Sequence, residues 1–201
     1  YRDTPAPEYR LPGVQFYLDM TGLPSDSRNI LWRIEETWEY HASLIGTHRW
    51  WETGLVEEYR SNPLFKCWKT EPLYEVIMGS TRNLEDNTLE GQALHFVSNE
   101  TDRLSVTYSI RVEQHSLSVA TYNYWRRMRE QGIDTGTLFE KQPASVPGNL
   151  YRVNDPEEVV LGQFYAAQVQ SRRIFLHNNN FLHFRVPHIE CEYEPISAIW
   201  E

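Results

Sequence analysis

Residues 103–112 read RLSVTYSIRV, and this stretch decides the fold class. Apolar and aromatic side chains occupy every second position, with polar groups between them. A period of two places successive side chains on opposite sides of a strand, so we predict a half-buried β-strand here. The alternation then gives way to helix signals. Ser116 and Ser118 supply helix-capping side chains, and no Pro or Gly interrupts residues 119–130. We therefore predict a short helix at about 118–131, inserted into a β-rich domain.

Residues 30–40 carry the longest alternation of the chain. Two tryptophans share one face of this segment, which indicates a core strand. Glu36 interrupts the same face, so its carboxylate has to be paired or to lie at an edge. We predict that 30–40 and 104–112 are central strands, and that they bury six side chains: Trp32, Ile34, Trp38, Val106, Tyr108 and Ile110.

The rest of the chain is also rich in strand patterns. We predict further strands at 14–20, 55–60, 64–69, 74–78 and 94–97, and a closing hairpin or two paired strands at 159–170 and 173–177. Residues 132–149 are predicted to be irregular. The pattern as a whole predicts a β-sandwich or an open barrel of antiparallel strands. Residues 1–12 are Pro-rich and predict a linker or lead-in, followed by a single β-rich domain over 13–201.

Composition and motifs exclude several functional classes. The net charge of the 201 residues is −9, with 28 acidic against 19 basic side chains, whereas nucleic-acid binding needs a concentrated positive surface. We find no serine-hydrolase motif, no phosphate-binding glycine loop and no metal-ligand spacing, so we predict no catalytic residue, metal or cofactor. Glu35 and Glu36 are neighbours on a predicted strand and point to opposite faces, unlike the facing carboxylates of a glycosidase.

Adjacent tryptophans at positions 50 and 51 form the one local feature that indicates a binding surface. Neighbours on a strand point to opposite sides, so one of the two is partly exposed, or both lie on a loop. An exposed tryptophan beside Arg49 suits a protein partner or a sugar face. The alternative is that Trp50 and Trp51 both tuck under a neighbouring loop. Arg49, Trp50 and Trp51 are therefore the candidate binding residues.

Four segments of the chain resemble one family in their order and spacing. They are 32–40 (WRIEETWEY), 67–70 (CWKT) with 77–81 (IMGST), 104–110 (LSVTYSI) with 120–125 (ATYNYW), and 148–150 (GNL) with 154–162 (NDPEEVVLG). The similarity covers about residues 14–176. In this part the chain resembles the C-terminal region of the Bacteroidota envelope lipoproteins grouped as domain of unknown function 4249.

The resemblance implies a cellular location and a class of partner, and it implies no catalysed reaction. Members of that family look like exported lipoproteins with an N-terminal immunoglobulin-like segment, encoded near TonB-dependent outer-membrane receptors. This chain would follow such a segment, with the signal and lipid anchor upstream and that anchor as its only membrane contact. The family has no established catalytic residues, so none can be carried over to this sequence.

The function that the resemblance implies is an interaction module at the outer membrane, facing either the cell surface or the periplasm. The module would bind the TonB-dependent receptor, the receptor's substrate, or both. A stand-alone carbohydrate- or peptide-binding domain is the second hypothesis, and a hydrolase of unrecognised type is the third.

The two cysteines, Cys67 and Cys191, leave two alternatives open. They form a disulfide if the compartment is oxidising, or they remain two unpaired core cysteines. The export that the resemblance implies adds the expectation of a disulfide that joins a core strand to the C-terminal segment.

We predict that replacing Trp50 and Trp51 together with Ala weakens assembly with the membrane partner and leaves the fold intact. A buried tryptophan anchor often contributes about 2 kcal/mol or more to binding. Co-purification of the variant from outer membranes measures the effect. Normal assembly of the double variant would place the contact surface elsewhere.

Overall fold

A computed structural model describes residues 12–21, 28–42, 48–50, 52–54, 56–58, 65–84, 87–134, 145–155 and 157–180. Within these ranges the strands are β1 Gly13–Met20, β2 Asn29–His41, β3 His48–Trp50, β4 Val56–Glu58, β5 Lys66–Ser80, β6 Leu89–Ser98, β7 Thr107–Ser116 and β8 Gln168–His177. One α-helix, α1, spans Val119–Asp134, and single 3₁₀ turns span Asp102–Leu104 and Asn178–Asn180. Most of the predicted lead-in, residues 1–11, lies outside the described residues.

The described strands form three antiparallel sheets. The main sheet has the order β5-β2-β7-β8, while β1 pairs with β6 and β3 pairs with β4. The predicted mainly β architecture is confirmed, and the described strands form no closed barrel. Strands β2 and β7 are the two inner strands of the main sheet, as predicted for 30–40 and 104–112.

The principal core lies between the main sheet and the β1–β6 sheet. Five of the six predicted core residues are buried there: Trp32, Ile34, Trp38, Tyr108 and Ile110. They pack against residues of the smaller sheet, among them Met20, Leu94 and Val97. The sixth, Val106, is only half-buried, and it precedes β7 and lies outside the ladder.

Helix α1 lies on the opposite face of the main sheet. A second core cluster there contains Leu31 and Met78, with Tyr122 and Trp125 of the helix packed against it. The predicted cap is present, since the backbone N–H of Thr121 donates to Oγ of Ser118 at 3.3 Å. The helix continues to Asp134, past the predicted end near 131. No helix in the described ranges is long and apolar enough to cross a membrane.

Two predicted strand boundaries were wrong. The strand predicted from 103 begins at Thr107 instead, because residues 102–104 form a 3₁₀ turn in which the N–H of Ser105 donates to the carbonyl of Asp102. Leu104 is nevertheless buried, although it lies in the turn. A buried side chain at this position fits the alternating pattern of a strand, which is why the sequence predicted one here. The two strands predicted at 64–69 and 74–78 are one strand, β5, which runs through Pro72. Strand β5 lies at an edge of the described sheet, where a proline is tolerated because one side of the strand has no ladder partner.

The predicted closing hairpin was also wrong. Only 168–177 is a strand, β8, and it pairs with β7 rather than with a neighbouring strand of its own. Residues 159–167 are irregular, apart from one isolated bridge between Leu161 and Pro147. Strand β6 is longer than predicted, since it begins at Leu89.

We expect Trp32→Ala to lower the free energy of unfolding by roughly 3–5 kcal/mol, because the side chain is fully buried and its removal leaves a cavity. The exposed Trp68 of β5 supplies the matched control, and Trp68→Ala should change the free energy by less than about 0.5 kcal/mol. Urea unfolding followed by circular dichroism measures both. Equal losses in the two variants would contradict the burial described here.

Candidate functional site

A buried carboxylate, that of Glu36, connects the two sheets of the principal core. Glu36 lies in β2, and its Oε1 accepts hydrogen bonds from the hydroxyl of Tyr108 at 2.7 Å and from Nε2 of His95 at 3.0 Å. Nη1 of Arg103 lies 3.5 Å from its Oε2. We call these four residues the Glu36 network. Since His95 belongs to β6 and Tyr108 to β7, the network ties the β1–β6 sheet to the main sheet.

Arg103 extends the Glu36 network toward the surface. Its Nη2 donates to Oε2 of Glu71 at 3.2 Å, and Nζ of Lys69 lies 2.7 Å from the other oxygen of Glu71. The guanidinium also lies 4.9 Å from the ring centroid of Trp38, a distance suited to a cation–π contact. Each charge in the network therefore has an opposite charge or an aromatic face beside it.

The environment of Glu36 keeps this carboxylate ionised. Burial by itself raises the pKa of Glu36, but the hydrogen bonds from His95 and Tyr108 and the charges around it outweigh burial, so the pKa lies below its ordinary value. Burial and the adjacent Glu36 charge raise the pKa of Tyr108, which keeps the phenol a donor. Glu36 is only 2% exposed, so the paired carboxylate anticipated from the sequence is confirmed and its role is structural.

The neighbouring carboxylate, Glu35, lies on the opposite face of β2, as predicted from the alternation. Its Oε1 accepts a hydrogen bond from Nη2 of Arg173 at 2.8 Å, and its Oε2 accepts one from Nη2 of Arg111 at 2.9 Å. Nη1 of Arg111 lies 3.0 Å from a carboxylate oxygen of Glu113. These four side chains are about one third exposed. Glu35 and Glu36 therefore do not face each other across a cleft.

Hydroxyl groups and two aromatic rings complete this face of the main sheet. Nη1 of Arg173 donates to Oγ of Ser109 at 2.9 Å and to Oγ1 of Thr37 at 3.3 Å. Oγ1 of Thr37 lies 3.0 Å from Oγ1 of Thr70. Two aromatic side chains stand two positions from members of this group and share its face, Trp68 before Thr70 and Phe175 after Arg173. We call this set the sheet-face site, and its members are Glu35, Thr37, Trp68, Thr70, Ser109, Arg111, Glu113, Arg173 and Phe175.

An irregular segment, described over 147–155 and 157–164, forms a closed loop. The side chain of Asn149 closes it by donating from Nδ2 to the carbonyl of Phe164 at 2.7 Å and accepting from the N–H of Phe164 at 2.8 Å. Gly148 lies so close to Gly162 that a Cβ at position 148 would overlap the carbonyl oxygen of Gly162. Gly162 has φ of +124°, a conformation that favours glycine. We call this segment the apolar loop.

The apolar loop exposes large hydrophobic side chains on both of its arms. Tyr151 is 72% exposed and Phe164 is 76% exposed. The other exposed apolar residues of the loop are Leu150, Val153, Val159 and Leu161. Beside the loop, Tyr165 packs edge-on against Trp125 of α1, with ring centroids 6.4 Å apart, which attaches this end of the loop to the body of the domain.

The structure gives partial information on the binding residues predicted from the sequence. Arg49 and Trp50 lie in β3. In the backbone register of the β3–β4 ladder, Arg49 is opposite Glu57 and Trp50 is opposite Val56. Their side chains and all of Trp51 lie outside what the structure describes, so this candidate surface stays a prediction. It is not part of the sheet-face site or of the apolar loop.

The predicted disulfide also stays a prediction. Cys67 lies in β5, opposite Tyr40 of β2, and is half-buried. The electrostatic influence of the neighbouring Cys67 side chain raises the pKa of the Tyr40 phenol, together with partial burial and a hydrogen bond between the two side chains. Cys191 lies outside the described residues.

Sequence reasoning missed both surfaces that the structure assembles. The charged members of the sheet-face site come from β2, β7 and β8, and their pairing depends on register rather than on any local spacing. The signal for the apolar loop was present in two of the motifs quoted for the family resemblance, which contain Gly148, Asn149 and Gly162. Their contact across 14 residues of chain was not apparent from the sequence.

Comparisons with known proteins identify a family and nothing further. The model of a family described as Domain of unknown function (DUF4249) matches residues 1–173. No curated protein and no solved structure matches this chain. Among the described residues, no group of three His, Cys, Asp or Glu side chains is arranged to hold a metal ion.

The low pKa of Glu36 predicts a loss of stability in acid. A carboxyl whose pKa is lower in the folded protein than in the unfolded chain stabilises the fold above its ordinary pKa, here 4.5, and this contribution is lost as the pH falls through the folded value. Glu36→Gln should cost roughly 3–5 kcal/mol at pH 7, since it takes the ionised acceptor from His95 and Tyr108 in the core and leaves Arg103 with Glu71 alone. The difference between the two proteins should then shrink below about pH 4.5.

Urea unfolding of both proteins at several pH values between about 7 and 3 measures this difference. The exposed Glu90 of β6 supplies the control, because Glu90→Gln should follow the wild type at every pH. A constant gap between wild type and Glu36→Gln down to the lowest pH would refute the assignment.

Proposed function

This chain belongs to the DUF4249 family, and we propose that it is a cell-envelope lipoprotein domain that binds a TonB-dependent outer-membrane receptor through the apolar loop. It acts by contact rather than by catalysis. The observation that carries the proposal is the exposure of six large apolar side chains on one short, closed segment. Several large exposed apolar side chains on one segment are typical of interaction sites in folded proteins.

The exposed apolar residues of the described chain are concentrated near this loop. Six of the sixteen large apolar side chains that are exposed in the described residues belong to this loop, and three more lie in β8. An exposed leucine or valine taken singly is unremarkable, because much of any protein surface is apolar. Here Tyr151 and Phe164 stand among several others, and an aromatic side chain buried in a partner's pocket is a frequent source of binding energy.

The apolar loop is also prepared for binding by its own closure. Asn149 bonds to both backbone groups of Phe164, and the close approach of Gly148 and Gly162 leaves no room for a side chain at position 148. A surface that is ordered before binding loses less conformational entropy when it meets a partner. The loop backbone therefore supports docking of the side chains that it carries.

Charge favours a protein partner over a lipid surface. Between residues 147 and 164 the loop carries Asp155, Glu157 and Glu158 against Arg152 alone. Anionic lipids attract basic segments and repel acidic ones. A receptor surface with an apolar pocket and basic groups at its rim complements this loop.

The choice of receptor as the partner, and of the outer membrane as the location, follows from the family resemblance stated from the sequence. The lipid anchor would belong to a segment upstream of this chain. Trp50 and Trp51 remain a second candidate contact in the same assembly. The loop and the tryptophan pair can be tested separately, because no residue belongs to both.

We expect the double variant Tyr151→Ser, Phe164→Ser to assemble poorly with the receptor. The loss of one aromatic anchor worth about 2 kcal/mol weakens binding about 30-fold. The full-length protein, tagged and expressed in its native membrane, is extracted in mild detergent, captured and analysed by mass spectrometry. The wild type should retain a TonB-dependent receptor that the variant loses.

The control is a pair of exposed apolar residues on another element, Val119→Ser with Met128→Ser on α1, which should leave capture unchanged. Both double variants should unfold at the same urea concentration as the wild type, because exposed side chains contribute little to stability. Capture of the receptor by the Tyr151→Ser, Phe164→Ser variant at the wild-type level would refute the loop as the contact. Absence of any TonB-dependent receptor in the wild-type capture would refute the partner.

A further inference from the structure

We propose that the sheet-face site binds an uncharged oligosaccharide. The site lies on the main sheet, on the face opposite the Glu36 network, and shares no residue with the apolar loop. The inference goes beyond receptor binding and does not rest on it. Three observations carry it: two exposed aromatic rings on one sheet face, a balanced set of charges beside them, and hydroxyl groups held in fixed positions.

The two rings have the exposure and placement of stacking platforms. Trp68 is 54% exposed and Phe175 is 58% exposed, in β5 and β8 at opposite edges of the described main sheet. Three strand spacings separate these edges, a distance of roughly 14 Å across the sheet. A sugar ring has an apolar face of C–H groups that packs flat on an aromatic ring. Two such platforms at this distance suit a short oligosaccharide rather than a single sugar.

The paired charges beside the rings cancel. They lie in the register rows next to Phe175, on the side away from Trp68. The carboxylate that lies between the two rings is that of Glu39, opposite Trp68, and it is paired with His41 at 3.0 Å and lies 3.9 Å from Nζ of Lys66. Arg111 and Arg173 share the carboxylate of Glu35, and Arg111 also meets Glu113, which gives two positive and two negative groups. An acidic ligand would compete with these carboxylates for the arginines, and a basic ligand would compete with the arginines for the carboxylates. An uncharged ligand leaves every ion pair in place. Charge complementarity therefore selects a neutral ligand in a chain whose net charge is −9.

The polar groups of the sheet-face site are held in place before a ligand arrives. Arg173 contacts Ser109, Thr37 and Glu35, so its guanidinium has a fixed orientation. Thr37 in turn lies within hydrogen-bond distance of Thr70 on the next strand. A row of hydroxyls with a guanidinium beside it offers both donors and acceptors to the hydroxyls of a sugar. Ordered polar groups on strands also lose little entropy on binding.

Isothermal titration calorimetry of the full chain with cellohexaose, xylohexaose and mannohexaose tests the proposal, with polygalacturonate as an acidic comparator. At least one neutral hexaose should bind. Trp68→Ala and Phe175→Ala should each weaken that binding by about tenfold or more, since each removes one platform. The loop variant Tyr151→Ser, Phe164→Ser should bind the hexaose like the wild type.

Tyr17→Ala is the matched control, because Tyr17 is an exposed aromatic residue on a strand of the other sheet, β1. It should leave hexaose binding unchanged, and all variants should keep the wild-type urea midpoint. The proposal is overturned if none of the three hexaoses binds, or if only polygalacturonate binds. It is equally overturned if both platform variants bind a hexaose as tightly as Tyr17→Ala does. Failure of receptor capture has no bearing on these outcomes.

Discussion

A single ionised carboxylate in the core constrains this structure more than any other group. Glu36 sits between two sheets where an unpaired charge would be very costly, so its partners have to arrive from both sides. Tyr108 approaches from the main sheet, His95 from the smaller sheet, and Arg103 from the 3₁₀ turn between β6 and β7. Apolar packing alone tolerates sliding between sheets. The hydrogen bonds to Glu36 do not, so this carboxylate fixes how the two sheets meet.

Strand β2 separates two different environments with adjacent residues. Glu36 faces the sealed core, and Glu35 faces the sheet-face site, where water reaches its arginine partners. Both carboxylates are paired, but Glu36 is buried and Glu35 is about one third exposed. The ion pairs of the two residues therefore have different consequences. Inside, the pairing sets geometry and stability. On the open face, it holds Arg111 and Arg173 in position while leaving them accessible to a ligand. Alternate side chains of β2 thus face the core on one side and the proposed binding surface on the other.

The sequence predicted the parts of this arrangement that depend on local pattern. Alternation around Trp32 and Trp38 correctly indicated an inner strand, and it showed that Glu36 needed a partner. It did not identify His95 or Arg173, because those partners lie 59 residues from Glu36 and 138 residues from Glu35, and only strand register brings them together. Boundaries failed where tertiary context overrides pattern. The edge position of β5 accommodates a proline that would otherwise end a strand.

The strand order β5-β2-β7-β8 has a consequence for how the chain folds. Strand β2 lies near the start of the chain, yet its neighbour β7 begins more than 60 residues after β2 ends. Strand β8 comes later still, after the helix and the apolar loop. Pairings between distant segments close large loops of chain before any contact offsets the entropy, and this slows folding. Strand β8 is the last strand of this sheet in the chain, so it is the last to be synthesised. Until β8 docks, one side of β7 is an open strand edge, and the nascent domain is at its most vulnerable to pairing with another copy of itself.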